Sequence, residues 1–481
     1  MPVNDIVRRV EQDVDQRIEQ LPLWRCARAN VLKATLDFYR LAHETSLICS
    51  AWATNSGNTE AFETVALQLQ RFQTGCFYVL KWAVAWCPER SAETLTDAMI
   101  QEAQDLGAKY ETLVDAFKFA KYNQIEIVVD EKAREVTVYE GGDVTGGDWC
   151  LVDHQRSANL FHSHVSLTED TDPLTKAWTA GAYRRTVSWL GKLALEGQGD
   201  TVMFTLPSGD HVPLFRRPTI INVPEPTDVE IGAVLKDLTL TQDKVSGPRF
   251  WDYVSWLDTP IVAVGAERLG PSDLLIALAG FGSDDHMLRL AATVDNAQYV
   301  KVSGLREARM IERCRELLEK DGWTVFPHYK LRNPDREIDV YAIREGVHLV
   351  LQLKSTLRPE TAGEVYKRNG DILGGIAQVQ DTRVRIASEA IGAVITDGYR
   401  GDYSTWRHAL EHQIPIGTLD DIPDIAHNPH QTFELLKTRV GFTSAPPEGA
   451  PFERTCDLMG WKFRIVDSRP PNSESSCPND E

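Results

Sequence analysis

Residues 304–355 read GLREARMIERCRELLEKDGWTVFPHYKLRNPDREIDVYAIREGVHLVLQLKS, and this stretch decides the fold of the carboxyl-terminal part of the chain. Ile311, Cys314 and Leu318 recur at three and four, the period of a helix that buries one face. Gly322 is the residue type that closes a helix in the left-handed conformation. Thr324–Tyr329 then reads as a short strand and Asn333-Pro334-Asp335 as a loop. Glu337–Ile343 and Val347–Ser355 read as two strands on either side of Glu345-Gly346. The order is helix, strand, hairpin.

The hairpin's register decides what its side chains can do. Side chains alternate faces along a strand, so Gln352 and Lys354 share one face and Leu351 and Leu353 the other. A two-residue turn pairs Arg344 with Val347 and sets Asp339 opposite Gln352. A three-residue loop sends Asp339 to the opposite face from both. The even loop is the expectation here. A carboxylate, an amide oxygen and an ammonium then converge. Asp339 can bind a hard cation such as Mg²⁺, which prefers oxygen ligands. Such a cation lowers the pKa of a bound water and offsets charge on a phosphodiester. Lys354 can position or deprotonate the attacking water, or stabilise the pentavalent phosphorus. Gln352 supplies a neutral oxygen only, so the site is less anionic than one with Glu there. The competing reading is an exposed hairpin whose polar residues face water, a pattern that Asp and Gln-x-Lys also produce by chance.

The segment EIDVYA…HLVLQLKS resembles the core of the PD-(D/E)xK nuclease superfamily, and Gln in place of Glu resembles its Mrr-like restriction endonuclease branch. Downstream, GGIAQVQDTRVRI resembles the helix that follows the catalytic lysine. AIGAVITDGYRGDYSTWRHALEHQIPIGTLDDI resembles the next strand, helix and closing strand. Residues 295–430 match in order, though few positions are specific. The resemblance implies a Mg²⁺-dependent phosphodiesterase, with Mn²⁺ as a substitute. Asp339 matches the metal-binding Asp, Gln352 the Glu/Gln position and Lys354 the catalytic Lys. It also implies a nucleic-acid substrate, DNA ahead of RNA, and a place in restriction or antiphage defence. The family carries a Glu on the preceding helix as a further ligand. Glu307 shares a face with Ile311, Cys314 and Leu318 and is preferred. Glu312 lies closer to the usual spacing before Gly322, but Arg315 and Glu319 share its face. Gln378, on the later helix, reads first as a surface glutamine and second as a contact of the site.

Bulk properties bound these readings. A chain of 481 residues holds about two to four domains. A net charge of −19 is unfavourable for a polyanion partner, yet residues 301–385 carry 16 Lys/Arg against 13 Asp/Glu, and the remainder carries −22. Local charge steers a polyanion, so a mildly basic region on an acidic body is compatible with nucleic acid. The eight cysteines form no CxxC pair, which argues against a zinc ribbon or a disulfide framework. The start, MPVNDIVRRVEQD, lacks an apolar h-region. Cys76–Cys87 contains Lys81 and is too short to span a bilayer. No membrane partner and a reducing, cytoplasmic setting are expected.

The fold class expected is multidomain α+β. Residues 1–122 read as a helical domain and a place for a protein partner or oligomer contact. Within it, Pro88 and a start signal at Ser91/Glu93 separate two helices. The Tyr78, Trp82 and Trp86 stripe, at helical spacing, reads as core before it reads as a base-stacking surface. Residues 123–230 read as a mixed region with two β-hairpins, QIEIVVDEKAREVTVYEGGD and TVMFTLPSGDHVPLF, and a helix over 174–195 between them. Residues 219–230, with two prolines, read as a linker. Residues 231–294 form an α/β connecting region, 295–430 the nuclease-like domain, 431–465 a carboxyl-terminal extension and 466–481 a tail expected to be disordered. His162-Ser163-His164 is a weak metal candidate, since a lone HxH without a carboxylate motif is usually incidental. There is no P-loop, GxSxG or dinucleotide fingerprint. Two functions stand against each other: a metal-dependent endonuclease, and an inactive nuclease fold that binds nucleic acid or a protein. An active site within 1–300 has no motif to support it.

Overall fold

The computed structural model describes residues 12–466 apart from 14, 57–58, 124–125, 131, 140–165, 197–199, 206–210, 217–219, 246–258, 282–283, 333–334, 356–361, 388, 441–452 and 459. The His162/His164 pair and the tail beyond 466 lie outside the described residues. The chain is mixed α+β, helical at the amino-terminal end and sheet-containing towards the carboxyl-terminal end. Among the described residues no helix is long and apolar enough to cross a membrane.

The amino-terminal region is built on three long helices, α1 (Arg28–Ser56), α2 (Thr59–Trp86) and α3 (Asp97–Asn123). The aromatic stripe of α2 is core. Tyr78 and Trp82 are buried, and their rings meet Tyr110 of α3 at 5.5 and 5.7 Å. The start expected at Ser91 is displaced. Ser91 Oγ accepts the Glu93 N–H in a local turn, and α3 begins six residues later, where Thr96 Oγ1 accepts from Met99 N. A Ser-x-Glu pair in a turn imitates a cap without a helix behind it.

Two segments far apart in the chain share one sheet. β1 (Glu126–Asp130) and β2 (Glu135–Tyr139) form the first expected hairpin. β14 (Glu453–Leu458) and β15 (Trp461–Val466) form another, and β15 lies parallel to β2. Val136 and Phe463 carry this sheet onto the amino-terminal core. The segments 123–230 and 431–465, separated on sequence grounds, are therefore joined by strand pairing.

The middle of the chain holds α4 (Ala180–Glu196) and the second hairpin, β3 (Asp200–Thr205) with β4 (His211–Arg216). Next come β5 (Ile220–Asn222), α5 (Val229–Asp237), β6 (Thr239–Leu240), α6 (Gln242–Val245), β7 (Ile261–Val264), β8 (Glu267–Pro271), α7 (Ser272–Phe281) and α8 (Asp284–Val294). The expected linker over 219–230 is a correction. Ile220–Asn222 is an edge strand in a sheet of order β5-β8-β7-β6, and Asp228 caps α5 by accepting from Glu230 and Ile231 N–H. Prolines 224 and 226 follow the strand, where an edge tolerates them.

The carboxyl-terminal part runs α9 (Asn296–Lys320), β9 (Thr324–Arg332), β10 (Asp335–Arg344), β11 (Val347–Lys354), α10 (Ala362–Ile386), β12 (Ile391–Thr396), α11 (Tyr403–His412), β13 (Ile416–Thr418), α12 (Ile422–His427) and α13 (Thr432–Arg439). Its sheet has the order β13-β12-β11-β10-β9, antiparallel from β9 to β11 and parallel from β11 to β13. Parallel strands need cover on both faces. Val340, Leu349, Leu351 and Leu353 join Met310, Cys314 and Leu318 of α9 in one core, which also takes in Ile372, Ile376 and Val379 of α10.

Candidate functional site

The turn between β10 and β11 fixes the register. Glu345 and Gly346 both have positive φ, 51° and 82°, the backbone of a two-residue hairpin turn whose twist matches the strands. Arg344 pairs with Val347, and the ladder runs to Val340 opposite Leu351. Extending it by one pair sets Asp339 opposite Gln352. There the regular pairing stops. On the other side β9 pairs with Ile338 and Val340 but skips Asp339, and His328, the residue it would face, has φ of 51°.

The interruption turns the Asp339 side chain into an acceptor for the neighbouring strand. Its Oδ2 accepts the Leu353 backbone N–H at 2.7 Å and the Gln352 Nε2 at 2.5 Å. Both bonds fall on one oxygen. Among the described residues Oδ1 of Asp339, Oε1 of Gln352 and the Glu307 carboxylate accept no hydrogen bond. Burial holds the Asp339 carboxyl above its ordinary pKa, and the Glu307 charge adds to this. The Leu353 N–H, the Lys354 charge and the Gln352 amide act in the opposite direction. Burial also pushes the Cys314 thiol up, with the Asp339 charge as a further cause.

Lys354 emerges at the carboxyl end of β11, paired in register with Thr396 at the end of β12. Its Nζ donates to Gln378 Oε1 of α10 at 3.1 Å. The lysine stem passes Gly375: a Cβ there would stand 3.2 Å from Lys354 Cε and from both Val394 methyls. Gly375 therefore lets α10 sit close against the strand end without pressing on the lysine. This residue was missed on sequence grounds, and the Gly374-Gly375 pair inside a helical pattern was the available signal.

The two helix glutamates are placed differently. Glu312 is at the surface, paired with Arg315. Glu307 lies near enough to Asp339 for its charge to act there, but it is exposed, so the expectation that it points to the core side is corrected. The inward place is taken by its neighbour Arg306, which is 5% exposed. Arg306 donates to Asp397 Oδ2 at 2.8 Å and Thr168 Oγ1 at 2.7 Å. Ser355 Oγ donates to the same Asp397 oxygen at 3.1 Å. One turn on, Arg309 holds Asp172 with both terminal nitrogens, at 2.5 and 2.8 Å. These pairs anchor α9 on either side of Glu307 and tie it to the ends of β11 and β12.

An aromatic row adjoins the site. Tyr341 is two residues from Asp339 on β10, hence on the same strand face and about 7 Å along. It stacks on Phe326 at 5.6 Å and meets Tyr329 at 4.8 Å, and its hydroxyl bonds His348 Nδ1 at 2.7 Å. Phe326 and Tyr329 are 40% and 36% exposed, an open aromatic surface on the edge strand.

The donor set suits a hard cation. A carboxylate oxygen, an amide oxygen and a second carboxylate are all oxygen ligands without competing hydrogen bonds among the described residues, and a carboxylate whose charged form is disfavoured by burial gains from a nearby positive charge. No protein-family model matches the chain. No curated protein matches it either. Among solved structures the chain is similar to Can2 from Sulfobacillus thermosulfidooxidans in complex with cyclic tetra-adenylate, at 11% identity and a TM-score of 0.21, over 71% of this chain and 72% of that one. It is also similar to protein VC1899 from Vibrio cholerae, at 11% identity and a TM-score of 0.20, over 69% of this chain and 73% of that one.

Proposed function

We propose that residues 295–430 form a metal-dependent nuclease unit of the PD-(D/E)xK type, which hydrolyses phosphodiester bonds in nucleic acid. The observation that carries this reading is the Asp339 carboxylate: one oxygen is tied down by Leu353 and Gln352, the other accepts no hydrogen bond among the described residues, and the Lys354 and Glu307 charges both act on the group. Asp339, Gln352 and Glu307 would hold Mg²⁺ or Mn²⁺. When bound, the cation supplies a more acidic water and offsets negative charge on the phosphate. The protein's own residues do the rest. The Leu353 N–H and Gln352 amide fix the rotamer of Asp339, so the ligand is in place before substrate arrives. Lys354 brings a positive charge to the developing charge on phosphorus, where a preorganised donor is worth most. Gln378 orients the Lys354 ammonium and leaves its remaining protons for substrate. Phe326 and Tyr329 give a nucleobase a flat surface next to the cleavage point. DNA as substrate and a defence role are the finer form of the same proposal.

A second reading, binding without cleavage, draws on Gln352, which leaves the cation one fewer negative ligand than a Glu would. The two are separated by incubating supercoiled plasmid and single-stranded oligonucleotides with Mg²⁺, Mn²⁺ or EDTA, for the wild type and Lys354→Ala. Cleavage that needs both metal and Lys354 selects the nuclease. Retention of nucleic acid in EDTA with no cleavage under any metal selects the binder.

A further inference from the structure

The segment HALEH, His408 to His412, lies on α11 and plays no part in the Asp339 site. His408, Glu411 and His412 are at i, i+3 and i+4, so they share one helical face. One ligand atom from each lies within 4.8 Å of the others. His408 Nδ1 is 3.7 Å from Glu411 Oε2, and the two imidazoles meet edge to face with centroids 4.3 Å apart. Zinc bonds of ~2.0–2.1 Å in a tetrahedron set ligand atoms about 3.4 Å apart. Ligand atoms now within 4.8 Å of one another must draw together by about 1 Å to reach that spacing, and both rings are half-exposed.

The helix beneath is rigid. Trp406 and Ala409 are fully buried on its inner side. Arg383 of α10 donates to the backbone oxygens of His412 and Gln413 at 2.9 and 3.2 Å, and Gln413 closes the helix in the left-handed conformation. Preformed backbone lowers the ordering cost of binding. The place is also distinct. Lys354 aligns with Thr396 before α11 begins, whereas His412 is the last residue of α11, leading into β13.

We propose that His408, Glu411 and His412 form a second cation site, for a borderline transition metal such as Zn²⁺, Ni²⁺ or Cu²⁺. Imidazole nitrogens favour these ions, while the all-oxygen set at Asp339 favours Mg²⁺ or Mn²⁺. The chain thereby sorts two classes of cation between opposite ends of one sheet. The three protein ligands leave the remaining coordination positions to water.

Cu²⁺ and Zn²⁺ titrations of the full chain test this, read by calorimetry and, for Cu²⁺, by electron paramagnetic resonance. Wild type should bind Cu²⁺ with a nitrogen-coupled signal. His408→Gln and His412→Gln should each lose the two-nitrogen signal and weaken binding by more than the roughly 10–100-fold that loss of an outer-shell partner costs. Glu411→Gln should weaken it less, and Asp339→Asn should leave it unchanged. The side chains are half-exposed or exposed, so circular dichroism should show all variants folded. An unchanged signal in both histidine variants, or no binding by the wild type, would overturn the site. The Asp339 reading is untouched by either result, because its own variants report on it separately.

Discussion

Asp339→Asn and Asp339→Ala should separate chemistry from folding. Both hydrogen bonds to Asp339 fall on Oδ2, from Leu353 N–H and Gln352 Nε2. An asparagine oxygen in the same place still accepts both. Each bond drops from the charge-assisted range of about 1.5–3 kcal/mol to the neutral range of about 0.5–1.5 kcal/mol. Removing a buried negative charge offsets much of that loss, so the Asn variant should unfold within about 2 kcal/mol of the wild type. Alanine leaves the Leu353 N–H and the Gln352 amide without an acceptor, at about 1–3 kcal/mol each, so it should lose about 2–6 kcal/mol. Cleavage should fall at least about a hundredfold to a thousandfold in both, the cost of one lost transition-state stabiliser. Urea denaturation in EDTA and plasmid cleavage in Mg²⁺ read the two effects independently. Wild-type cleavage by Asp339→Asn would refute the chemistry, and equal stability of the Asn and Ala variants would refute the hydrogen-bond account.

Gln352→Glu should lower the Mg²⁺ concentration needed for half-maximal cleavage, because it adds a negative ligand, and should reduce stability in EDTA, because two carboxylates then face each other; an unchanged metal requirement argues against Gln352 as a ligand. Gly375→Ala should reduce cleavage by crowding Lys354 Cε, while helix propensity contributes about 0.5–1 kcal/mol of stability, so a variant with full activity would show that the lysine's path is not constrained. The Asp339 carboxyl is held above its ordinary pKa. Between the ordinary and raised values the folded chain binds more protons than the unfolded one, so stability in EDTA should fall as pH rises through that window; Asp339→Asn should flatten this dependence, and identical pH profiles of the two proteins would contradict it. Arg306→Met removes the cation that pairs with buried Asp397, which should cost about 3–5 kcal/mol, and a loss below 1 kcal/mol in urea denaturation would show that the pair is not an anchor.

What was legible in the sequence followed local rules. Helix, strand and hairpin in 304–355 came from apolar period, and the register came from a two-residue turn, since every further residue in the loop would flip Asp339. Glu307 was misplaced because a period count treats arginine as surface. Arg306 is buried with its charge matched by Asp397, while Ile311, Cys314 and Leu318 are buried as their period requires and Glu307, one turn before them, is exposed. Ile220–Asn222 was lost among prolines, whose effect depends on whether the strand is an edge. The pairing of β2 with β15 has no local signal at all, because partners so distant in the chain meet only through tertiary packing. Gly375 and the histidine pair on α11 were visible as residues, but their use depends on which helix faces they occupy.

The premise of the whole site is that a divalent cation sits against Asp339. Anomalous diffraction from crystals soaked in Mn²⁺ measures its position directly. A peak is expected about 2.0–2.2 Å from an Asp339 carboxylate oxygen, within reach of Gln352 and Glu307 and absent from Asp339→Asn crystals. A peak that persists in those crystals, or Mn²⁺ bound only elsewhere on the chain, would contradict it.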